Sequence, residues 1–179
     1  NQSYYGEYLG NIFYMKTLTT ARLVLRSATK EDFPAIALMN SDPQVMRYLA
    51  LNSAVPTYER ALEQAPEFLG LPCPKDCGIW VITSRQAANF VGCVWLGYID
   101  DCSDIELGYR LATEYWGKGY ATEAGQRVAD HAFREAPIGH LVAVICPQNL
   151  ASVRVAEKIG FERSGIVAGC SIVLDRYVL

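Results

Sequence analysis

The chain has 179 residues, a formal net charge of −3 and a sequence pI near 5.4, which argues against a protein that grips nucleic acid through a basic surface. Hydrophobic residues make up 51% and charged residues 20%, the balance of an ordinary globular domain and not of a disordered chain. No apolar run approaches the ~18 residues of a membrane helix, and the longest, Val91 to Ile99, reads as a strand.

Residues 1–14 form a leader of open origin, with Tyr4, Tyr5, Tyr8, Phe13 and Tyr14 but no basic region and no long apolar core, so it does not read as a secretory signal. Met15 is a candidate start. From Leu18 a first strand follows, with Leu23 and Leu25 alternating against Arg22, Val24 and Arg26. Thr29 with Asp32 is a near capping box, and Phe33, Ile36, Ala37 and Asn40 follow at helical spacing. Asp42-Pro43 starts a short helix. Tyr58, Ala61, Leu62 and Ala65 mark another, which Pro66 is expected to end or kink. Gly70 to Gly78 is a loop. Ile79–Thr83 and Phe90–Ile99 form a hairpin, and Asp100 to Asp104 turns into a strand from Ile105. A helix over 121–136, a strand over Leu141–Cys146, a helix from Asn149 to Gly160 and two closing strands complete a single domain with no internal repeat.

Cysteines at 73, 77, 93, 102, 146 and 170 show no C-x₂-C pair and no neighbouring histidine pair, so reduced thiols in a cytoplasm are expected, with no metal.

Function concentrates in Glu106-Leu-Gly-Tyr-Arg-Leu-Ala-Thr-Glu-Tyr-Trp-Gly-Lys-Gly-Tyr-Ala-Thr-Glu-Ala124, read as a strand, a glycine-rich turn and a helix start. Gly117 and Gly119 allow positive φ and close backbone approach to a ligand. Ala121, Ala124, Val128, Ala129, Ala132 and Phe133 share one helical face behind the turn. The free N–H groups and positive dipole end of that helix suit phosphate oxygens, without a metal or a basic clamp. The G-x-G-x-x-G fingerprint fails for want of a third glycine, and the G-x-x-x-x-G-K-[ST] loop fails because Lys118 lies between the glycines.

The turn resembles motif A of the GNAT acetyltransferases, Q/R-x-x-G-x-G/A, with Trp116 in the first position, Gly119 in the fourth and Ala121 in the sixth. A second motif, Asn149-Leu-Ala-Ser152 with Glu157-Lys158-Ile159-Gly160-Phe161, follows after a helix and a strand. On its own it reads as a helix with Asn149 as N-cap and Gly160 as stop. In that order the two motifs are similar to the ribosomal-protein alanine N-acetyltransferase branch. The resemblance implies an α/β (α+β) fold over residues 15–179, a mixed, mostly antiparallel sheet of about seven strands flanked by about four helices. It implies acetyl-CoA as cofactor, held by Tyr109, Leu111, Trp116, Gly117, Lys118, Gly119, Tyr120, Ala121, Thr122, Asn149 and Ser152. It also places the early helices over the acceptor end of the cleft.

An amine attacks a thioester only in its neutral form, so a base or water relay must take a proton. Glu106, beside Tyr98 and Tyr109, is the candidate base, against a structural reading as an exposed strand glutamate or ion pair. Many relatives carry a tyrosine seven residues after the motif asparagine to protonate the departing thiolate; this chain has Ala156, leaving Ser152 as the candidate donor. His131 is expected on a solvated helix face, His140 in a turn, and Asp175 and Arg176 paired or in water. Three functions stand at this point. They are N-acetylation of a protein or peptide α-amine, N-acetylation of a small amine such as an amino acid, polyamine or aminoglycoside-like drug, and silent acyl-CoA binding. The chain is expected to be a monomer or homodimer.

Overall fold

The computed structural model describes residues 15–49, 54–99, 104–136, 138–167 and 173–179. The leader at 1–14, Cys102 and Cys170 lie outside them.

Among the described residues, eight strands form one sheet: β1 (Leu18–Thr19), β2 (Leu23–Ser27), β3 (Ile79–Ser84), β4 (Phe90–Tyr98), β5 (Ile105–Leu111), β6 (Val142–Ile145), β7 (Glu162–Val167) and β8 (Leu174–Val178), in the order β1-β2-β3-β4-β5-β6-β8-β7. The count exceeds the expected seven because the first strand is broken. Thr20 N–H donates to the Leu23 carbonyl at 3.0 Å, and Thr20 Oγ1 accepts from Leu23 N–H at 2.9 Å. Those bonds fold Leu18–Ser27 into two antiparallel strands around a tight turn.

Five α-helices among the described residues cover the sheet: α1 (Phe33–Asn40), α2 (Pro43–Met46), α3 (Tyr58–Leu69), α4 (Tyr120–Glu135) and α5 (Leu150–Ile159). The Thr29–Asp32 capping box forms, and Asp32 also accepts a fork from Arg26 at 2.7 and 2.8 Å. Asp42 caps α2 by accepting from Gln44 N–H. Pro66 does not end α3. The helix runs one turn further, where Leu69 enters the core and Phe68 packs edge-on against Trp95 at 6.0 Å; Gly70 N–H then closes it on the Pro66 and Glu67 carbonyls.

Each face of the sheet has its own core. Leu23, Leu25, Trp80, Ile82, Val94, Leu96 and Leu107 pack against Ala124, Val128 and Ala132 of α4 on one side. Val81, Cys93 and Trp95 pack against Ile36, Met39, Ala65 and Leu69 of α1 and α3 on the other. Along α4 the buried stripe is shifted from the expected face: Phe133 is exposed, whereas Gly125 is buried because its missing Cβ admits Ile159 of α5. His131 corrects a sequence expectation. It is 2% exposed, stands edge-on to Trp80 at 5.6 Å and donates from Nε2 to the Asp76 carbonyl at 3.1 Å. The loop before β3 covers a position that the polar pattern of α4 marks as solvated.

His140 and Arg176 both engage Asp104, at 3.0 and 2.8 Å, and Asp175 pairs with Arg163. Cys73, Cys77, Cys93 and Cys146 are free thiols, and burial pushes Cys93 up to about 12. Among the described residues no group of side chains is suited to a metal, and no helix is long and apolar enough to cross a membrane.

Candidate active site

The site is organised by β5, whose side chains alternate between the two cores. Leu107 and Leu111 join the α4 side, with Tyr109 packed against them. Glu106, Gly108 and Arg110 therefore face the α1–α3 side. The strand is antiparallel to β4 along its whole length but parallel to β6 at the single pair Glu106↔Val142. Past that pair the two parallel strands have no further ladder contact, so a cleft opens between them toward Leu111.

Glu106 sits at the closed end. Its cross-strand neighbour on β4 is Gly97, which has no side chain, and the space left beside the carboxylate belongs to a cavity of about 280 Å³. Trp95, Tyr98, Ile99, Val144, Val167 and Leu174 contribute to the lining. Trp95 Nε1–H donates to Glu106 Oε2 at 3.2 Å. Its indole lies across the strand at Gly108, where a Cβ would stand 2.1 Å from the ring. Glycine at 108 is thus a condition for the indole reaching Glu106. Tyr98 lines the cavity with Glu106 as expected, while Tyr109 lies on the opposite face of β5.

At the open end the chain makes a 3₁₀ turn at Thr113–Tyr115 and enters the glycine turn. Gly117 and Gly119 both take left-handed backbone, φ 72° and 78°. A Cβ at Gly117 would meet nothing within 4 Å, and no side chain caps the N-terminus of α4 that follows. Open, left-handed backbone ahead of an uncapped sixteen-residue helix fits a pyrophosphate. Trp116, half exposed, donates from Nε1 to the Leu111 carbonyl at 2.9 Å and so braces the turn against the end of β5. Lys118 lies over the Tyr115 ring at 5.4 Å, and Ala121 and Thr122 are half-buried in the first turn of α4.

Arg22 was not legible as a site residue. It donates from Nη1 to the Lys118 carbonyl at 2.9 Å, stacks over Tyr120 at 4.5 Å, and pairs with Glu123, which also accepts from Thr20 Oγ1 and from Arg22 N–H. The β1–β2 turn thus braces the glycine turn with a guanidinium whose charge is paired with Glu123. Nothing near Arg22 signals this, because the partner lies 96 residues away.

Across the cleft, Asn149 caps α5, its Oδ1 accepting from Ser152 N–H at 3.2 Å. Tyr109 OH donates to the Ser152 carbonyl at 2.9 Å and ties β5 to α5. Burial pushes the Tyr109 phenol up to about 12 against the pull of that bond, so it stays a neutral donor at neutral pH. Tyr109, Asn149 and Ser152 thus come together on one wall, and Glu106 faces the other side of β5.

Comparison with known proteins identifies this architecture. Residues 22–162 match the model of the acetyltransferase (GNAT) domain, and the chain belongs to that family. The protein YkkB of Bacillus subtilis is 32% identical over 154 residues, covering 82% of this chain and 86% of its own. Among solved structures, a GNAT-family acetyltransferase from Bacillus anthracis superposes with a TM-score of 0.78 at 25% identity, over 92% of this chain and 98% of its own. The aminoglycoside acetyltransferase AAC(6')-Ib with ribostamycin and coenzyme A shares the fold at 20% identity and TM-score 0.72, over 87% and 92% of the two chains. The ribosomal L7/L12 α-N-protein acetyltransferase RimL with coenzyme A does so at 19% and 0.73, over 92% and 97%.

Proposed function

We propose that this GNAT-family N-acetyltransferase moves the acetyl group of acetyl-CoA directly to a primary amine, with the N-terminal α-amine of a protein or peptide as acceptor. The observation that carries the reading is the placement of Glu106, a carboxylate oriented by Trp95 beside a cavity at the closed end of the β5–β6 cleft. The glycine turn stands at the other end of the same strand.

Acetyl-CoA supplies the activated acetyl thioester. The backbone of Gly117 to Thr122 would hold its pyrophosphate, with Lys118 and Arg22 adding positive charge and Trp116 and Tyr120 fixing the turn. Tyr109, Leu111 and Asn149 would line the path of the pantetheine arm. With its Oδ1 committed to the cap, Asn149 would offer its amide donors. Glu106 takes the proton that the acceptor ammonium must lose, directly or through water. Ser152 donates a hydrogen bond at the departing sulfur, and Tyr109 positions it through its carbonyl.

The solved neighbour in complex with ribostamycin favours acetylation of a small amine as a second reading, whereas the neighbour named as a ribosomal-protein α-N-acetyltransferase favours the first. Release of coenzyme A, measured on a panel of peptides against a panel of small amines, separates them. Turnover confined to peptides is expected. Turnover confined to small amines would replace the acceptor assignment, and acetyl-CoA binding without turnover on any amine would leave a silent binding module.

A further inference from the structure

The two left-handed glycines give the turn before α4 its shape, but nothing local holds that shape. Glycine takes positive and negative φ with similar ease, so the Lys118–Gly119 peptide can swing over without a Cβ to oppose it at Gly119. The direction of this one peptide matters. It is trans, and in a trans peptide the carbonyl and the following N–H point opposite ways. With the Lys118 oxygen turned toward Arg22, Gly119 N–H is aimed away from Arg22. Among the described residues the N–H groups of Gly117, Lys118 and Gly119 have no hydrogen-bond partner, the state of donors that an anion would engage. Swung over, the peptide would present an oxygen to that anion in place of a donor.

The Lys118 carbonyl accepts from Arg22 Nη1 at 2.9 Å, and Glu123 in the first turn of α4 fixes Arg22 in turn. Glu123 Oε2 accepts from Arg22 Nε at 2.7 Å and pairs with Nη2 at 2.7 Å. Its Oε1 accepts from Arg22 N–H at 2.9 Å and from the Thr20 hydroxyl. Burial pushes the Glu123 carboxyl up, but the bonds from Thr20 and Arg22 outweigh it and hold the group below the usual carboxylate range. The guanidinium also stands over the Tyr120 ring, 4.5 Å from its centroid. One carboxylate therefore orients a side chain of the β1–β2 turn, and that side chain orients a peptide of the glycine turn.

We propose that Glu123 is a positioning residue for acetyl-CoA: acting through Arg22, it pins the Lys118 carbonyl and so aims Gly119 N–H at the pyrophosphate. This rests on the acetyl-CoA reading of the glycine turn above and adds to that site a residue that works at one remove from the ligand. The turn is then pre-organised by tertiary contact where its own glycines leave it free.

The test is the calorimetric Kd for acetyl-CoA in Glu123→Gln, Arg22→Lys and the double variant. Glu123→Gln keeps an acceptor for Thr20 and Arg22 N–H but releases the guanidinium, and Kd should rise by about 10-fold. Arg22→Lys keeps the charge beside Glu123, yet one ammonium cannot serve the carboxylate and the Lys118 carbonyl with the geometry of a fork, so a similar ~10-fold loss is expected. Because both residues act by one route, the double variant should also lose ~10-fold, where independent effects would multiply to about 10²-fold. On any amine that is turned over, KM for acetyl-CoA should follow Kd while kcat at saturation stays within about 2-fold. Glu135→Gln breaks the Lys16 pair at the far end of the same helix and controls for helix stability; its Kd should match the native value. Native affinity in folded Glu123→Gln or Arg22→Lys, or multiplied losses in the double variant, would overturn the proposal. An equal loss in Glu135→Gln would overturn it too, by assigning the effect to the helix as a whole. Absence of acetyl-CoA binding in the native chain would instead remove the cofactor reading, an outcome distinct from native binding that the variants leave unchanged.

Discussion

Glu106 and the residues that hold it carry the sharpest single-residue expectations. Glu106→Gln keeps shape and removes the proton acceptor, so kcat should fall by about 10²-fold or more with acetyl-CoA affinity intact. A full-rate variant would assign the proton to solvent. Gly108→Ala tests the support behind it. Its Cβ would lie 2.1 Å from the Trp95 ring, and relief requires moving an indole packed between Phe68 and the strand. Thermal and urea unfolding should show a loss of roughly 1–3 kcal/mol, and the remaining folded enzyme should lose kcat because the Nε1–H to Glu106 bond is displaced. Stability lost with normal turnover per folded molecule would separate Trp95 from catalysis.

At the scale of elements, α5 and the turn before α1 answer to different variables. Asn149→Ala removes the cap of α5 and should cost about 1 kcal/mol, lowering the melt whatever the residue does for the cofactor. Ser152→Ala discriminates more finely, because Ser152 enters the cap through its N–H and not through its hydroxyl. The melt should be nearly unchanged while single-turnover rates fall; a normal rate would end its role as donor. The Arg26–Asp32 fork locks the entry to α1. Burial pushes the Asp32 carboxyl up, but the hydrogen bonds from Arg26 and from Thr29 N–H outweigh it and hold the group below the usual carboxylate range. A depressed folded value means stability that is present above the unfolded value near 3.9 and lost as pH falls toward the folded one. Asp32→Asn should therefore cost roughly 1–3 kcal/mol at pH 7 and less at pH 3, read by urea unfolding at both; an equal deficit at the two pH values would rule out the charge as the cause.

For the whole molecule, ligand and fold are linked. A ligand that binds only the folded chain at ~100 times its Kd adds about 2.7 kcal/mol, which for a chain of this size raises Tm by roughly 5–10 °C. Acetyl-CoA should do so for the native chain and not for Gly119→Val. In that variant a branched side chain is forced into left-handed backbone, with Arg22 Nη2 3.5 Å from its Cβ. The variant should also melt below the native protein in the absence of ligand, and an undiminished acetyl-CoA shift in it would displace the phosphate site from this turn.

The glycine turn, the strand before it and the Asn149 helix were readable because their chemistry is local. Left-handed backbone, capping and alternation are decided by residues within a turn of one another. The same locality explains the order of elements, the capping box at Thr29 and the stop at Gly160. What only the tertiary structure decided are facts of register and long-range packing. His131 is buried because a loop some 55 residues earlier in the chain crosses it. Arg22 reaches the glycine turn because the first strand folds back on itself. Trp95 meets Glu106 because β4 and β5 pair in the register that sets Gly108 beneath the indole and Gly97 opposite the carboxylate. A linear pattern carries the period of each strand but not the offset between two of them, and the shape of the cavity beside Glu106 depends on that offset.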